Sequence, residues 1–192
     1  MRTLFISTYT NLITIGLLKN NKLIDKKEKP SVRTHAEHLL PLIDNILNEN
    51  NLKPEDINEI KVINGPGSFT GVRLGVTVAK TLAYTLNIPI KVINTIEALA
   101  ISNKKEQKKI VKVDDPKGSY YGIFENNIQL GILDYLKESE FREILNKNKD
   151  ILIVDDQTLD IEAICAYLSN QPSINPHLVK PIYIKQIEVQ NG

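Results

Sequence analysis

Cysteine is almost absent from this 192-residue chain: Cys165 is the only one. No intramolecular disulfide can form, and a cluster of thiolate ligands is excluded. A surplus of one charge is also missing. Lys and Arg together number 24 and Asp and Glu 23, so bulk electrostatics impose neither a nucleic-acid nor a membrane partner. Long apolar runs are lacking too. The opening stretch MRTLFISTYTNLITIGLL is interrupted by Thr3, Ser7, Thr8, Thr10, Asn11 and Thr14. That falls short of the roughly 20 apolar residues that span a bilayer. It also lacks the clean apolar core and small-residue cleavage site of a signal peptide. The expectation is a soluble, unexported, cytoplasmic protein.

What is present has the balance of a globular protein, 42% hydrophobic and 24% charged, with enough length for one large domain or two small lobes. Three short segments rich in β-branched residues, Leu4–Thr8, Leu12–Leu18 and Leu23–Glu28, open the chain as a β-meander, with Asn20-Asn21 as a hairpin turn. A helix over about His35–Glu49 follows. Thr34 and Glu37 match the capping-box pattern, and Pro41 either kinks the helix or marks where it becomes regular. Pro54–Ile57 reads as a short helical turn. Then come a strand at Ile60–Asn64, a helix from about Thr70 to Leu86, a strand at Ile90–Ile93 and a short helix at Thr95–Ser102 capped by Thr95.

Past residue 102 the text changes to the basic connector NKKEQKK. A strand at Lys109–Val113, a hairpin of Tyr120–Glu125 and Ile128–Ile132 across Asn126-Asn127, a helix at Phe141–Leu145, a strand at Ile151–Val154 and a helix at Ile161–Leu168 are predicted. The tail carries Pro172, Pro176 and Pro181 and is expected to be extended. The fold class is α/β in two lobes: residues 1–100, and a smaller lobe over 101–192.

The segment INGPGSFTGVRLGVTVAKTLAYTL reads as strand, glycine turn and long helix. Gly65 and Gly67 free the backbone to turn, Pro66 stiffens it, and Ser68 or Thr70 can cap the helix. Gly71, Gly75, Ala79 and Ala83 recur every four residues and form a ridge of small side chains, flanked by Val72, Val76, Leu82 and Leu86. Such a ridge lets another backbone approach closely. It suits either a partner's helix or the chain's own sheet, and spacing leaves both open. A glycine turn feeding a helix N-terminus also suggests an anion cradle, but no Lys follows the last glycine of the turn and the phosphate-loop pattern is not met.

Other candidates have bland alternatives. His35 and His38 are three apart, not the four of the zinc helix motif, and no third ligand is evident, so partly exposed histidines at a helix start are the alternative. Cys165 lies in an apolar run without a basic neighbour and reads as core. Asp114-Asp115 and Asp155-Asp156 end strands, where catalytic carboxylates often sit, but equally suit turns. Lys104, Lys105, Lys108 and Lys109 form a basic cluster, either a solvated connector or an RNA-backbone contact.

The segment GPGSFTGVRLG, placed after a strand near residue 65, resembles the TsaB (YeaZ) family. RTHAEHLLPLIDNIL is similar to that family's R-x-H-x-E-x-L-L-P-x-I-D helix, INTIEALA to its V-S-S-L-E-A-L-A element, and PIYIKQIEV to its closing P-x-Y-L-R segment. The resemblance runs from the N-terminus to about Val189. It implies an actin-like ATPase fold, shared with sugar kinases, with a reduced second lobe. It implies a non-catalytic subunit in forming threonylcarbamoyladenosine at adenosine 37 of tRNAs that read codons starting with A. The larger paralogue TsaD would carry the metal and transfer the group, and the ATPase TsaE would join. No cofactor is then expected on this chain alone, with ATP and metal on the partner subunits. The tRNA would be reached indirectly or through the basic patch, and homodimerisation of the free chain stays open.

The partner surface implied by the resemblance lies on the helices His35–Glu49 and Thr70–Leu86. Its candidates are His35, Leu39 and Leu42 on the first, and Gly71, Val72, Gly75, Ala79 and Ala83 on the second. Gly65, Pro66, Gly67, Ser68, Thr70 and Arg73 make up the motif turn. Two departures stand out. The family's Asp-Thr-Ser after the first strand is Ser7-Thr8-Tyr9 here, and its second-lobe Asp-Ala-Arg is Asp114-Asp115-Pro116 followed by Lys117. The first removes an acid that supports metal and phosphate chemistry in actin-like folds, which argues against independent ATP hydrolysis. The alternatives are a metal-dependent glycoprotease, as the superfamily was once described, and a small phosphotransferase.

Overall fold

A computed structural model describes residues 1–32, 34–105, 107–147, 151–155 and 158–184. Two sheets organise the chain. The first has strand order β3-β2-β1-β4-β5, from β1 (Arg2–Ser7), β2 (Leu12–Lys19), β3 (Lys22–Pro30), β4 (Glu59–Ile63) and β5 (Ile90–Ile93). β1, β2 and β3 are antiparallel neighbours, while β4 and β5 add in parallel. The second sheet runs β8-β7-β6-β9, from β6 (Lys109–Asp115), β7 (Gly118–Glu125), β8 (Ile128–Lys137) and β9 (Leu152–Asp155). Its pairings repeat those of the first sheet: two antiparallel steps on one side of β6 and a parallel step to β9 on the other. The second lobe is thus the first lobe's plan with one strand fewer among the described residues. This two-lobed α/β arrangement, with a reduced second lobe, matches the architecture that the resemblance implied.

Local chemistry explains the turns. Asn20 and Asn21 take φ of 51° and 63°, and Asn126 and Asn127 take 51° and 62°. Both central residues of each hairpin are therefore left-handed, which Asn tolerates best after Gly. Helix α1 (His35–Glu49) buries Leu39, Ile43, Ile46 and Leu47 along one face and runs unbroken through Pro41. Thr34 stands at its N-cap without a side-chain cap bond; its hydroxyl is instead 3.1 Å from that of Ser31. The capping box expected there does not form.

Helices α2 (Phe69–Thr85), α3 (Thr95–Ser102), α4 (Glu138–Lys147) and α5 (Ile161–Ser169) complete the layers. The cap of α3 is Asn94, whose side chain accepts the Glu97 N–H at 2.8 Å, rather than Thr95. Helices α1 and α2 pack on one face of the first sheet, while α5 lies behind Gly16, where a β-carbon would stand 3.1 Å from Ile161.

The lobes exchange helices, so the cores do not divide at residue 100 as expected. Ile96, Leu99 and Ala100 of α3 join Val111, Val113, Tyr120, Phe124 and Val154 in the second core. Ile161, Ile164, Cys165 and Leu168 of α5 return to the first. Charge fixes α5 there. Lys61, fully buried on β4, donates to Cys165 O (2.7 Å) and Ser169 Oγ (3.0 Å), and Lys91 donates to Ser169 O (3.0 Å). Cations thus meet the negative end of the helix dipole. Glu59 neutralises both, 3.1 Å from Lys61 and 3.3 Å from Lys91. Buried apolar side chains contribute about 1.5–3 kcal/mol each, and this ion cluster adds direction to them. Among the described residues no helix is long and apolar enough to cross a membrane.

Candidate functional site: the glycine turn, its helix and the inter-lobe cleft

The turn from Gly65 to Ser68 folds back on the link between β1 and β2. Ser68 N donates to Tyr9 O at 2.6 Å, Thr95 N to Gly65 O at 2.8 Å, and the Thr95 hydroxyl to Pro66 O at 2.6 Å. Gly67 has φ of 151°, and a β-carbon there would overlap the Tyr9 carbonyl. A side chain is excluded at that position on both counts. Ser68 is the helix cap: its hydroxyl accepts Gly71 N at 3.2 Å, while Thr70 is exposed. Ser68 N, Gly71 N and Val72 N are all bonded within the chain, so these three donors are not free for an anion.

The small-residue ridge faces inward. Thr8 Oγ1 donates to Gly71 O at 2.7 Å, and β-carbons on Gly71 or Gly75 would run into the Thr8 carbonyl and hydroxyl. Ala79 and Ala83 are 0% and 1% exposed within the first core. Of the two readings of the ridge, the chain's own sheet takes it. His35, Leu39, Gly71, Val72, Gly75, Ala79 and Ala83 are therefore not available as contact residues for a partner, because this chain already covers them. Leu42 is half-buried. His35 was expected to be partly exposed; it is buried, its Nε2 donating to Thr10 O at 2.9 Å, and it holds the link between β1 and β2.

The outward stripes of the same helices carry different residues: Leu40, Pro41, Asp44 and Asn45 on α1, and Thr70, Arg73 and Thr77 on α2. Phe69 heads this stripe, 59% exposed, with the Arg73 guanidinium 5.0 Å from its ring centre. Sequence reading placed Arg73 in the motif but missed Phe69 and Leu40. Their signal was available: they occupy the non-core positions of otherwise periodic helices.

Between the lobes lies a cleft of about 1520 Å³. Tyr9, Pro66, Gly67 and Phe69 line it from the first lobe, and Asp114, Asp115, Lys117, Tyr135 and Asp155 from the second. Burial raises the Asp114 pKa, but hydrogen bonds from Lys112 (2.7 Å) and Ser119 (2.7 Å) outweigh it and leave the carboxyl below its ordinary value. Lys112 also lies 3.9 Å from Asp155, and Asp115 accepts from the Tyr135 hydroxyl at 3.1 Å. The strand-end acids are thus brought together on the second-lobe wall, bonded to one another's neighbours; Asp156 lies outside the described residues. No group of three or more His, Cys, Asp or Glu among the described residues is placed to hold a metal ion.

Two further sequence candidates resolve differently. Lys109 is not part of a solvated basic patch. It is fully buried, donating to Ala100 O, Asn103 O, Lys105 O and Asn127 Oδ1, and burial lowers its pKa. Lys104, Lys105 and Lys108 remain exposed. Cys165 is buried in the first core, and burial pushes its thiol up to about 12.

Comparison with known proteins agrees with this geometry. A family model described as TsaD, tRNA N6-adenosine threonylcarbamoyltransferase, matches residues 26–121. A tRNA threonylcarbamoyladenosine biosynthesis protein TsaB from Bacillus subtilis is 34% identical over 127 residues, 65% of this chain; the match spans 56% of that relative's length. TsaB of Buchnera aphidicola subsp. Baizongia pistaciae is 30% identical over 190 residues, 96% of this chain and 82% of its own. The solved structure of YeaZ from Pseudomonas aeruginosa superposes with a TM-score of 0.77 at 17% identity, covering 95% of this chain and all of its own, which establishes the shared fold. With one relative 30% identical over 96% of this chain, and the glycine turn, helix pair and two-lobed topology in place, this chain belongs to the TsaB family of tRNA threonylcarbamoyladenosine biosynthesis proteins.

Proposed function

We propose that this chain is a non-catalytic, cytoplasmic subunit of the threonylcarbamoyladenosine-forming assembly. In this reading it binds and supports TsaD, with TsaE joining, while ATP and metal are handled on those partners. One observation carries it: Ser7, Thr8 and Tyr9 occupy the end of β1, where an acid would support phosphate and metal chemistry in an actin-like fold, and all three are buried. Thr8 is committed to Gly71 and Tyr9 to Ser68. The place of a catalytic acid is used for packing.

The docking face in this reading is the outward stripe of α1 and α2, from Leu40 and Pro41 across to Arg73 and Thr77. Exposed aromatic and Arg side chains such as Phe69 and Arg73 are the residue types that anchor protein interfaces. Co-purification of the chain with its cognate TsaD, together with the threonylcarbamoyladenosine content of tRNA after deletion of the gene, tests the proposal. Stable association and loss of the modified nucleoside are expected. Failure to associate, with modification intact, refutes it.

A further inference from the structure

The segment that follows Val179, residues 180–184, is not packed as a free end. Val179 is 3% exposed in the first core, fixed behind a short 3-10 turn at Pro176–Leu178. From there the chain crosses to the other lobe. Asn64, the residue that follows β4 and opens the glycine turn, donates its Nδ2 to Lys180 O at 3.1 Å and accepts Ile182 N on its backbone carbonyl at 2.8 Å. Ile182 O lies 3.3 Å from where a β-carbon on Gly65 would stand. The Tyr183 ring tilts against Phe69 with centres 5.8 Å apart. Ile184 then packs against the second core. Ile182, Tyr183 and Ile184 all line the inter-lobe cleft.

We propose that Lys180–Ile184 is a strap that ties the two lobes together across the cleft beside the glycine turn, and that it releases as a unit about Val179. Its attachments suit reversible closure. Among the described residues, both of its hydrogen bonds go to Asn64. The two rings in contact, Tyr183 and Phe69, stay 58% and 59% exposed. Asn64 Oδ1 is buried with no hydrogen-bond partner among the described residues, so the closed strap leaves one acceptor of its own anchor unsatisfied, which weakens that attachment. A segment held by so few buried contacts opens at far lower free energy than the sheets beneath it. Pro181 stiffens the strap, so loss of one attachment is transmitted to the others. Because Ile182 bonds to the first lobe and Ile184 to the second, closure also fixes the spacing between lobes.

The experiment compares the full-length chain with two variants, one at each end of the strap. Ile182→Pro removes the N–H that donates to Asn64 O; Ile184→Asp removes the apolar contact with the second lobe. Amide exchange is read by NMR at Ser68 and Thr95, which are bonded within the turn, against β-ladder amides of β1 and β4 as internal reference. Small-angle scattering reports the lobe spacing. In both variants exchange at Ser68 and Thr95 rises about tenfold or more, the reference amides are unchanged, and the radius of gyration increases. Three results each overturn the proposal: turn amides unchanged in both variants, acceleration in only one of them, or acceleration equal to that of the reference amides.

Discussion

Thr8 and Gly75 meet so closely that a β-carbon on the glycine would overlap the threonine hydroxyl and lie 3.3 Å from its β-carbon. The hydroxyl cannot swing aside without giving up its 2.7 Å bond to Gly71 O. Gly75→Ala gains about 1 kcal/mol of helix propensity but incurs an overpacking penalty of about 1–3 kcal/mol. Net destabilisation is expected, measured by urea unfolding. Thr8→Ala should also destabilise, by leaving Gly71 O with one bond fewer. In the double variant the clash is gone, so the two effects should be strongly non-additive. Additive effects would show that the two residues are not in contact. A bulky residue at Gly75 or Ala79 should unfold the protein rather than merely weaken an association.

The same pair shows what the sequence could and could not disclose. Strands, hairpin Asn pairs and helices were legible because each depends on local periodicity or turn chemistry. The four-residue ridge was legible as a shape, but its occupant depended on where the link between β1 and β2 passes, which is a tertiary fact. His35 and Lys109 failed for a related reason. Each lies in a polar stretch, yet backbone carbonyls of earlier residues satisfy it: Thr10 for His35, and Ala100, Asn103 and Lys105 for Lys109. The return of α5 to the first lobe was hidden because its anchors, Glu59, Lys61 and Lys91, lie on strands far from it in sequence, and nothing local shows which helix end they face.

That anchor makes a separate prediction. Lys61→Met leaves Glu59 with Lys91 and the Thr3 hydroxyl, and removes two hydrogen bonds from the end of α5. Breaking a buried ion pair by deleting one partner costs about 3–5 kcal/mol. The Lys91 side chain is 12% exposed against 0% for Lys61, so Lys91→Met should cost less than Lys61→Met. Chemical denaturation of both variants at pH 7 measures the difference, and equal losses would contradict the geometry.

Cys165 supplies a probe. With its thiol pushed up to about 12 by burial, almost no thiolate exists at pH 8, and thiolate is the nucleophile. A disulfide reagent should label the native chain only at the rate of opening of the first core. Labelling should therefore slow as denaturant is withdrawn and coincide with unfolding followed by circular dichroism. Rapid stoichiometric labelling of the native protein would show that α5 is not seated as described.

Acid stability should respond to Asp160, the N-cap of α5. Its pKa is lowered from 3.8, first by the bond from Ala163 N and then by Lys104, against an opposing effect of burial. The folded state therefore binds the proton less readily than the unfolded state. The resulting stabilisation is complete above the unfolded value near 3.8 and is lost as pH falls through the lower folded value. Asp160→Asn keeps a capping oxygen but removes the titration, so its stability should depend less on pH below about 4. Asp160→Ala should cost about 1 kcal/mol at pH 7. Thermal melts across pH 3 to 7 check both; identical acid profiles for wild type and Asp160→Asn would exclude this contribution.

The outward stripe of α1 and α2 is where association and folding can be separated. Leu40 is 51% exposed on α1 and Arg73 is exposed on α2, so neither supports the core. Leu40→Asp and Arg73→Glu should leave the melting temperature nearly unchanged, since exposed substitutions rarely exceed 0.5 kcal/mol. Under the proposed function they should nonetheless weaken pairing with TsaD, each by about tenfold or more if it is a hot spot, and lower the modified nucleoside in a complementation strain. The inward residues Gly75 and Ala79 should behave oppositely, with folding lost before pairing can be tested. If pairing survives both outward substitutions in a folded protein, the docking face lies elsewhere on the molecule and the assignment to these two helices fails.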